Sequence, residues 1–527
     1  MRINPLLLTD GYKTGHHQQY PKGTTLVYSN FTPRSLKHAP KHCHEIVSFG
    51  QQMMMKIIHD AFQEDFFSLP KDEVCGEMKR ELSMYLNTDY DVSHFEELHD
   101  LGYLPIKVKA IEEGTILPAK VPVLTIYNTK PEFYWITNYL ETIISNLLWK
   151  PMTSATIAHN YRKVLTKWQE KTDAERAWFI DWQGHDFSMR GMDSIDATVS
   201  SGIGHLTSFS GSDSLPAIYG ARKYYGENEF VAGSVNATEH SVMCAGGKED
   251  EIDTFRRLLE TYPTGILSVV SDTWDLWKVC TEHLITLKEE ILTRDGKLVI
   301  RPDSGDPADI LCGPIMVRTN IQGDNDLVVR LADGKTILNP SEEYLSNPET
   351  KGVIELLWDV FGGTVNEQGY KVLDPHIGAI YGDSITIDRA DEICRRLEEK
   401  GFASTNVVLG IGSFTYQYNT RDTFGFAMKA TYVEVNKPKF EGDFNPEGRE
   451  IFKDPITDDG TKKSATGLLC VTLNEEDEIY LVDKVNWESE AEGLLQTIYK
   501  NGKFLNQTTL KEIKNRLSLV VEKSLSH

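Results

Sequence analysis

The chain has 527 residues, of which 40% are apolar and 25% charged, and these proportions are typical of a folded protein with roughly two to four domains. Its 55 Lys and Arg against 78 Asp and Glu leave a formal charge of −23, which argues against a nucleic-acid partner and against an anionic membrane surface. An anionic ligand would therefore need a pocket in which cationic side chains are concentrated.

The first residues, MRINPLLLTDGYK, contain an apolar run of three leucines, which is too short for a signal peptide. Elsewhere no apolar run approaches the roughly 18 residues of a membrane helix. The seven cysteines are scattered, odd in number and form no CxxC pair, so the pattern indicates neither a disulfide framework nor a zinc site. We therefore expect a cytoplasmic protein.

Strand-like patterns occur near both ends of the chain, for example LPIKVKAIEEGTILP at 104–118 and EIYLVDKV at 478–485. They predict one α+β domain that is built from residues 1–150 and completed by residues 421–527. Residues 151–420 have a different pattern, in which short β-rich runs stop at small or acidic residues. The runs are GILSVVSD up to Asp272, KLVIRPD up to Asp303, HIGAIYGD up to Asp383 and NVVLGIG up to Gly412.

Helix signals follow these runs. Asp272 is predicted to cap the helix that begins in TWDLWKVC, and Asp388 is predicted to cap a helix that stops at Gly401. Strands that alternate with helices indicate a parallel sheet, and polar residues at strand ends are typical of the catalytic face of an α/β barrel. We predict an irregular α/β barrel over 151–420, with a surface insertion near 313–350 where the spacing between strands is too long.

Six clusters combine glycine or other turn-forming residues with acidic or basic side chains: TDGYK, HDFSMRG, FSGSDS, TEHS, IRPDSGDP and YNTRD. Each alone is more typical of a turn or a helix cap than of a site. Together with PEFYWITNYLET, SVNATEHS, SVVSDTWD and FKDP they resemble, in order and spacing, the nicotinamide phosphoribosyltransferase family of type II phosphoribosyltransferases. The resemblance covers most of the chain except the insertion.

The resemblance implies a nicotinamide site in which Phe187 stacks on one face of the pyridine ring and Tyr12, from a partner subunit, on the other. Asp213 and Arg301 would pair with the carboxamide, which has one NH2 donor and one carbonyl acceptor. Because a carboxylate at Asp213 repels another carboxylate, nicotinamide is favoured over nicotinate.

The resemblance also implies a site for 5-phosphoribosyl pyrophosphate (PRPP) and for the product, nicotinamide mononucleotide. Its implied ligands are Asp10, Arg34, Arg190, Asp303, Gly382, Asp383, Gly412, Ser413, Arg421, Lys429 and Lys453. Asp303 and Asp383 are the implied magnesium ligands. The implied assembly is a homodimer, with Tyr12, Arg421 and Lys429 acting across the subunit boundary.

The pyridine nitrogen carries a free lone pair, so displacement at the anomeric carbon needs no general base. The requirements are orientation of the ring and neutralisation of the departing pyrophosphate by Mg2+ and cationic side chains. The implied catalytic residues are His240, Asp303, Asp272 and Arg301. His240 is the family's ATP-dependent phosphorylation site, with Glu239 as a residue that could orient its ring.

Three alternative functions compete with this interpretation. A nicotinate-specific relative would share the barrel and the PRPP chemistry, but Asp213 argues against it. A barrel glycosidase could use Asp303 and Asp383 as its carboxylate pair, although the cationic residues favour a phosphorylated substrate. A non-catalytic binding protein predicts broken site residues, yet the principal ones are present.

Overall fold

The computed structural model describes residues 3–321, 325–382, 384–438, 440, 442–453 and 465–525. The chain forms two compact units. Unit 1 comprises Met1–Ile157, Gly220–Asn228 and Asn419–Leu517, and unit 2 comprises Ala158–Tyr219, Glu229–Tyr418 and Ser518–His527. Across the described residues, no helix combines the length and the apolar character that crossing a membrane requires.

Unit 2 contains a curled sheet in which all neighbouring strands are parallel. The order of the strands is Gly211–Ser212, Gly184–Asp186, Val407–Ile411, Ile377–Tyr381, Asp295–Arg301, Thr264–Val270 and Asn236–Ala237. Gly211 at one edge forms a parallel bridge with Gly233, which precedes the strand at the other edge. The amide of Gly233 donates to the carbonyl of Ser210 over 2.9 Å, so the sheet curls into a ring. The predicted irregular α/β barrel is confirmed.

Helices follow most of the barrel strands. They include Ile195–Leu206, Leu215–Tyr225, Glu251–Thr261, Pro307–Cys312, Val353–Phe361 and Ile387–Glu399, and the long helix Glu141–Thr172 precedes the first strand. In Ile387–Glu399 the buried residues Ala390, Ile393 and Leu397 recur at helical spacing. Gly401 then adopts a φ of +76°, which a residue without a Cβ accommodates without strain, and the helix ends there as predicted.

Both predicted helix caps are wrong. The residue that caps Ile387–Glu399 is Thr386, whose hydroxyl accepts from the amide of Arg389, and not Asp388, which lies inside the first turn. Asp275 caps Leu276–Lys278 by accepting from the amides of Trp277 and Lys278. The side chain of Asp272 is therefore available for a contact with another part of the chain.

The long interval between two barrel strands contains a small antiparallel sheet. Its strands are Ile315–Thr319, Asp326–Arg330 and Thr336–Leu338. They lie between the helices Pro307–Cys312 and Val353–Phe361, where the sequence predicts an insertion.

Unit 1 is built on an antiparallel sheet. The strands, in order, are Pro446–Glu450, Phe426–Asn436, Thr24–Pro33, Leu124–Asn128, Ile106–Ile111, Leu495–Lys500 and Lys503–Phe504. A separate pair joins Leu468–Leu473 to Ile479–Val485. The helices of this unit include Gln51–Phe62, Lys71–Leu86 and Ser93–Leu101. The sheet joins strands from both ends of the chain, and the predicted α+β character is confirmed.

His159, on the long helix Glu141–Thr172, is 3% exposed, and neither ring nitrogen has a hydrogen-bond partner among the described residues. Burial, together with the positive charges of Lys163 and Arg162, lowers the pKa of His159 to about 3. The folded protein keeps the ring of His159 neutral, whereas the unfolded chain takes up a proton at this residue below a pH of about 6.5. A lower pH therefore favours the unfolded chain. Its contribution to stability is therefore complete above pH 6.5 and declines as the pH falls toward 3.

Between pH 7.5 and pH 5.5, we expect the free energy of unfolding to fall by about 1.4 kcal/mol less in His159→Met than in the wild type. The variant should also be more stable at pH 7.5, because two unsatisfied nitrogens are gone. Urea unfolding at each pH measures both effects, with the exposed His44→Met as the matched control. An equal pH dependence in wild type and His159→Met would contradict the assignment.

Candidate active site

The candidate residues of unit 2 lie at one end of the barrel, because parallel strands bring their carboxyl ends to the same edge. Each follows or ends a barrel strand at that edge. They are Phe187 after Gly184–Asp186, Asp213 after Gly211–Ser212, His240 after Asn236–Ala237, Asp272 after Thr264–Val270, Arg301 and Asp303 at the end of Asp295–Arg301, Gly382 after Ile377–Tyr381, and Gly412 after Val407–Ile411.

A cavity of about 840 Å³ occupies the interior of the barrel, and Phe187, Asp213 and Arg301 line it together. The ring of Phe187 lies against the strand Val407–Ile411 at Gly410, where a Cβ atom would come within 2.7 Å of the ring. A side chain at position 410 would therefore displace the aromatic ring. The Nε atom of Arg301 is buried and has no partner among the described residues, so it is available to a ligand.

Asp213 is held by two donors. The Nε2 atom of His185 lies 2.9 Å from Oδ1 of Asp213, and the hydroxyl of Ser234 donates to the same oxygen. Burial raises the pKa of Asp213, but these hydrogen bonds and the charges of His185 and Arg301 outweigh burial and leave the pKa below its ordinary value. Asp213 is therefore an ionised acceptor at neutral pH.

Asp272 and Asp303 are joined across neighbouring strands. The Oδ2 atom of Asp272 accepts from the amide of Asp303 over 2.9 Å and from the hydroxyl of Ser304 over 2.6 Å. A Cβ atom on Gly382 would approach Oδ1 of Asp303 to 2.8 Å, so the glycine leaves room for this carboxylate. The Oδ1 atom of Asp272 is buried and has no partner among the described residues.

His240 is exposed and lies beside this pair. Its Nε2 atom is 3.8 Å from Oδ2 of Asp303, and its Nδ1 atom is 3.2 Å from the hydroxyl of Thr273. The carboxylate of Glu239 accepts from the hydroxyl of Ser241, and no hydrogen bond joins Glu239 to the ring among the described residues. Thr273, and not Glu239, is the residue that orients His240.

Arg190 and Ser413 belong to two adjacent loops of unit 2. Arg190 is exposed in the turn Met189–Gly191, and a Cβ atom on Gly191 would overlap the hydroxyl of Ser413 at 2.1 Å. Gly412 precedes Ser413, and a Cβ atom added to it would meet no other atom of the described residues within 4 Å. The close packing at Gly191 brings a cationic side chain and this loop into one region.

Within unit 1, Arg34, Arg421 and Lys429 form a cluster of positive charge. Burial lowers the pKa of Lys429; Glu141 raises it, and the charges of Arg34, Lys13 and Arg421 lower it. Asp10 accepts from the hydroxyl of Thr142 over 2.7 Å, Tyr12 is 66% exposed, and Lys453 is exposed. All of these residues lie in unit 1, whereas the barrel residues lie in unit 2.

Among the described residues there is no group of three or more His, Cys, Asp or Glu side chains that could hold a metal ion. Asp383, one of the two predicted magnesium ligands, lies outside the described residues. Mg2+ commonly takes only one or two protein carboxylates, with water and substrate phosphates as its other ligands. Asp303, together with the unpartnered Oδ1 of Asp272, fits such a limited set of protein ligands.

The sequence patterns do not reveal two polar partners of the site, His185 and Ser234. Both fall within quoted motifs, but their contact with Asp213 joins residues 28 and 21 positions apart. Lys297 is also missed. It lines the same cavity near the amino end of the strand Asp295–Arg301, and burial lowers its pKa to about 8.

Comparison with known protein families gives two matches. A model described as the nicotinate phosphoribosyltransferase family matches residues 182–503, and one described as the nicotinamide phosphoribosyltransferase N-terminal domain matches residues 4–66. In solved structures, human nicotinic acid phosphoribosyltransferase has a TM-score of 0.53 at 14% identity, covering 98% of this chain and 93% of that one. A nicotinate-nucleotide pyrophosphorylase from Pyrococcus furiosus has a TM-score of 0.52 at 16% identity, covering 99% and 96%. These two structures support the fold alone.

Curated sequences are more similar. A nicotinamide phosphoribosyltransferase of Acinetobacter baylyi is 47% identical over 99% of this chain and 98% of its own length. One from Mycoplasma pneumoniae is 33% identical over 88% of this chain and 95% of its own length. With the matched family models and the barrel site, these relatives show that the chain belongs to the nicotinamide phosphoribosyltransferase family and is a pentosyltransferase enzyme.

Proposed function

We propose that this enzyme transfers the phosphoribosyl group of PRPP to nicotinamide, giving nicotinamide mononucleotide and pyrophosphate for the salvage of NAD. The observation that carries the proposal is the single cavity lined by Phe187, Asp213 and Arg301. Asp303, whose carboxylate lies beside Gly382, adjoins it at the same end of the barrel.

Nicotinamide suits the donors and acceptors of this cavity. The ring of Phe187 offers an apolar face for stacking, which adds about 0.5–1.5 kcal/mol beyond burial. The ionised carboxylate of Asp213 can accept from the carboxamide NH2 group, and Arg301 can donate to its carbonyl oxygen. Nicotinate would bring a second carboxylate to Asp213, which is unfavourable because like charges repel in a partly buried pocket.

For PRPP we propose two sets of ligands. Arg190, Gly412 and Ser413 of unit 2 bind phosphate oxygens, while Asp303, Gly382 and Asp383 bind the ribose and magnesium. The cationic cluster of Arg34, Arg421 and Lys429, with Asp10 and Lys453, supplies the second set from unit 1. We propose further that the enzyme is a cytoplasmic homodimer in which Tyr12, Arg421 and Lys429 act at the active site of the other subunit.

The nucleophile, the ring nitrogen of nicotinamide, determines what the protein must supply to the reaction. The ring nitrogen attacks the anomeric carbon with its own lone pair, so the protein's role is to aim the ring and to stabilise the charges that develop. Mg2+, when bound with PRPP, would neutralise the pyrophosphate leaving group. Asp303, held in position through Asp272, can stabilise positive charge on the ribose.

We also propose that ATP phosphorylates His240. If Nδ1–H donates to the hydroxyl of Thr273, the lone pair of Nε2 is free to attack the γ-phosphorus of ATP, with ADP as the leaving group. The exposure of His240 allows a nucleotide to reach it, and its distance of 3.8 Å from Asp303 connects the phosphorylated ring to the PRPP site.

The direct test of the reaction is an assay of the purified protein with nicotinamide, nicotinate and quinolinate, each with PRPP and Mg2+, with and without ATP. We expect nicotinamide mononucleotide and pyrophosphate to form from nicotinamide, and ATP to increase the rate. Preferential turnover of nicotinate would overturn the substrate assignment in favour of the nicotinate alternative.

Asp213→Asn should lower the preference for nicotinamide over nicotinate, measured as a ratio of kcat/KM values, by about 10- to 100-fold. An asparagine amide can donate to the carboxylate of nicotinate, whereas the native carboxylate repels it. The exposed Asp253→Asn, on the helix Glu251–Thr261, is the matched control. If Asp213→Asn retained the wild-type ratio, the carboxamide contact would be wrong.

A further inference from the structure

The hydrogen bonds to Asp213 are unevenly distributed between its two carboxylate oxygens. Both His185 and Ser234 donate to Oδ1, while no described residue donates to Oδ2. The backbone amide of Asp213 donates to the carbonyl of Asp186 over 2.9 Å, which fixes the main chain at this position. One oxygen is therefore occupied by the protein and the other is left for a ligand.

His185 has little freedom to move. It is 8% exposed on the strand Gly184–Asp186, and its ring lies 4.6 Å from the ring of Phe187 at an angle of 36°. On the neighbouring strand, a Cβ atom on Gly211 would come within 2.7 Å of Nδ1 of His185. The imidazole is thus held between the backbone of one strand and the aromatic ring that faces the cavity.

Resting on the function proposed above, we infer that His185 is a positioning residue for nicotinamide specificity: it fixes Asp213 so that Oδ2 faces the carboxamide, and Ser234 assists it. The same imidazole supports the ring of Phe187. One side chain therefore sets both the plane in which the pyridine ring stacks and the oxygen with which its amide pairs.

The charge of the site agrees with this inference. Donation from His185 and Ser234 keeps the pKa of Asp213 below its ordinary value in spite of burial. An ionised Asp213 accepts from an amide and repels a carboxylate. Loss of the donors would make protonation of Asp213 easier, and a protonated Asp213 can donate to the carboxylate of nicotinate.

The test compares two replacements of His185. His185→Phe keeps an aromatic ring beside Phe187 but has no donor, whereas the side-chain amide of His185→Gln can still donate to Asp213. For His185→Phe we expect the KM for nicotinamide to rise about tenfold and the preference over nicotinate to fall about tenfold. The KM for PRPP should change less than twofold. His185→Gln, which keeps a donor to Asp213 but not the aromatic ring, should keep the preference over nicotinate within about threefold of the wild type.

Ser234→Ala is a second test that remains valid if His185→Phe fails to fold. Ser234 is exposed, so removing its hydroxyl does not disturb the barrel core. It should raise the KM for nicotinamide about threefold with no change in the KM for PRPP. The buried His159→Phe, whose residue does not line the cavity, is the control for replacing a buried imidazole in the same unit.

Two outcomes separate the inference from the proposed function. If the wild type makes no nicotinamide mononucleotide, the proposed function fails, and this inference with it. If the wild type makes the product but His185→Phe and Ser234→Ala keep wild-type nicotinamide KM and wild-type preference, only the positioning role is overturned. An equal rise of both KM values in His185→Phe would also overturn it, because that result indicates a general structural role.

Discussion

Asp303→Ala should reduce kcat/KM for phosphoribosyl transfer by about 100- to 1000-fold, comparable to the removal of one electrostatic contact to a transition state. The carboxylate is placed to bind the ribose and to help hold Mg2+, and the substitution removes both functions. The loop itself should keep its position, because Asp272 holds it through the backbone amide of residue 303 and the hydroxyl of Ser304.

Steady-state kinetics with varied PRPP and Mg2+ measure this effect. The matched control is Asp295→Ala, because Asp295 is exposed at the opposite end of the same strand. Calorimetry should show that Asp303→Ala binds nicotinamide within about threefold of the wild type, since Phe187, Asp213 and Arg301 are untouched. Activity within tenfold of the wild type, with an unchanged Mg2+ requirement, would contradict the role of Asp303.

The barrel could be predicted because its strands are nearly continuous apolar runs. Val269 and Val270, like Val299 and Ile300, are apolar on successive positions, which is typical of parallel strands covered on both faces. Such runs can be recognised in the sequence without knowing which distant strands they pair with. The end of the helix at Gly401 could be predicted for the same reason, because a positive φ is a local requirement that glycine meets.

The caps could not be resolved in this way. Thr386 and Asp388 are both acceptable capping residues, and so are Asp272 and Asp275. Which one caps depends on where the chain leaves the preceding strand. For Asp272 the choice depends on the loop of the next strand, since its carboxylate accepts from Asp303, 31 positions away.

The candidate site could be predicted in part. The family resemblance implies that Phe187, Asp213 and Arg301 form one site, and they line one cavity at the barrel end where the carboxyl ends of the parallel strands meet. The partners of Asp213 were not predicted, because a histidine on one strand and a serine in a separate loop carry no local signal of a shared oxygen. The closure of the sheet at Gly211 and Gly233 is equally non-local.

His240→Ala should abolish the stimulation of transfer by ATP and leave basal transfer within about threefold of the wild type. The imidazole does not line the nicotinamide cavity, so its loss should not disturb the ring or the carboxamide. Its proposed role is to carry a phosphoryl group 3.8 Å from Asp303, where an added negative charge can change the affinity for PRPP through the magnesium ligands.

The measurement is the initial rate with and without ATP, together with the release of ADP and acid-labile incorporation of γ-phosphate into the protein. Thr273→Val is a matched variant, because it keeps the shape of the side chain but removes the hydroxyl at Nδ1. Thr273→Val should slow phosphorylation by about tenfold, because the ring of His240 loses the contact that selects its tautomer. Basal transfer should be unchanged. Persistence of ATP stimulation in His240→Ala would show that the phosphoryl acceptor is another residue, whereas loss of basal transfer would place His240 in the transfer step itself.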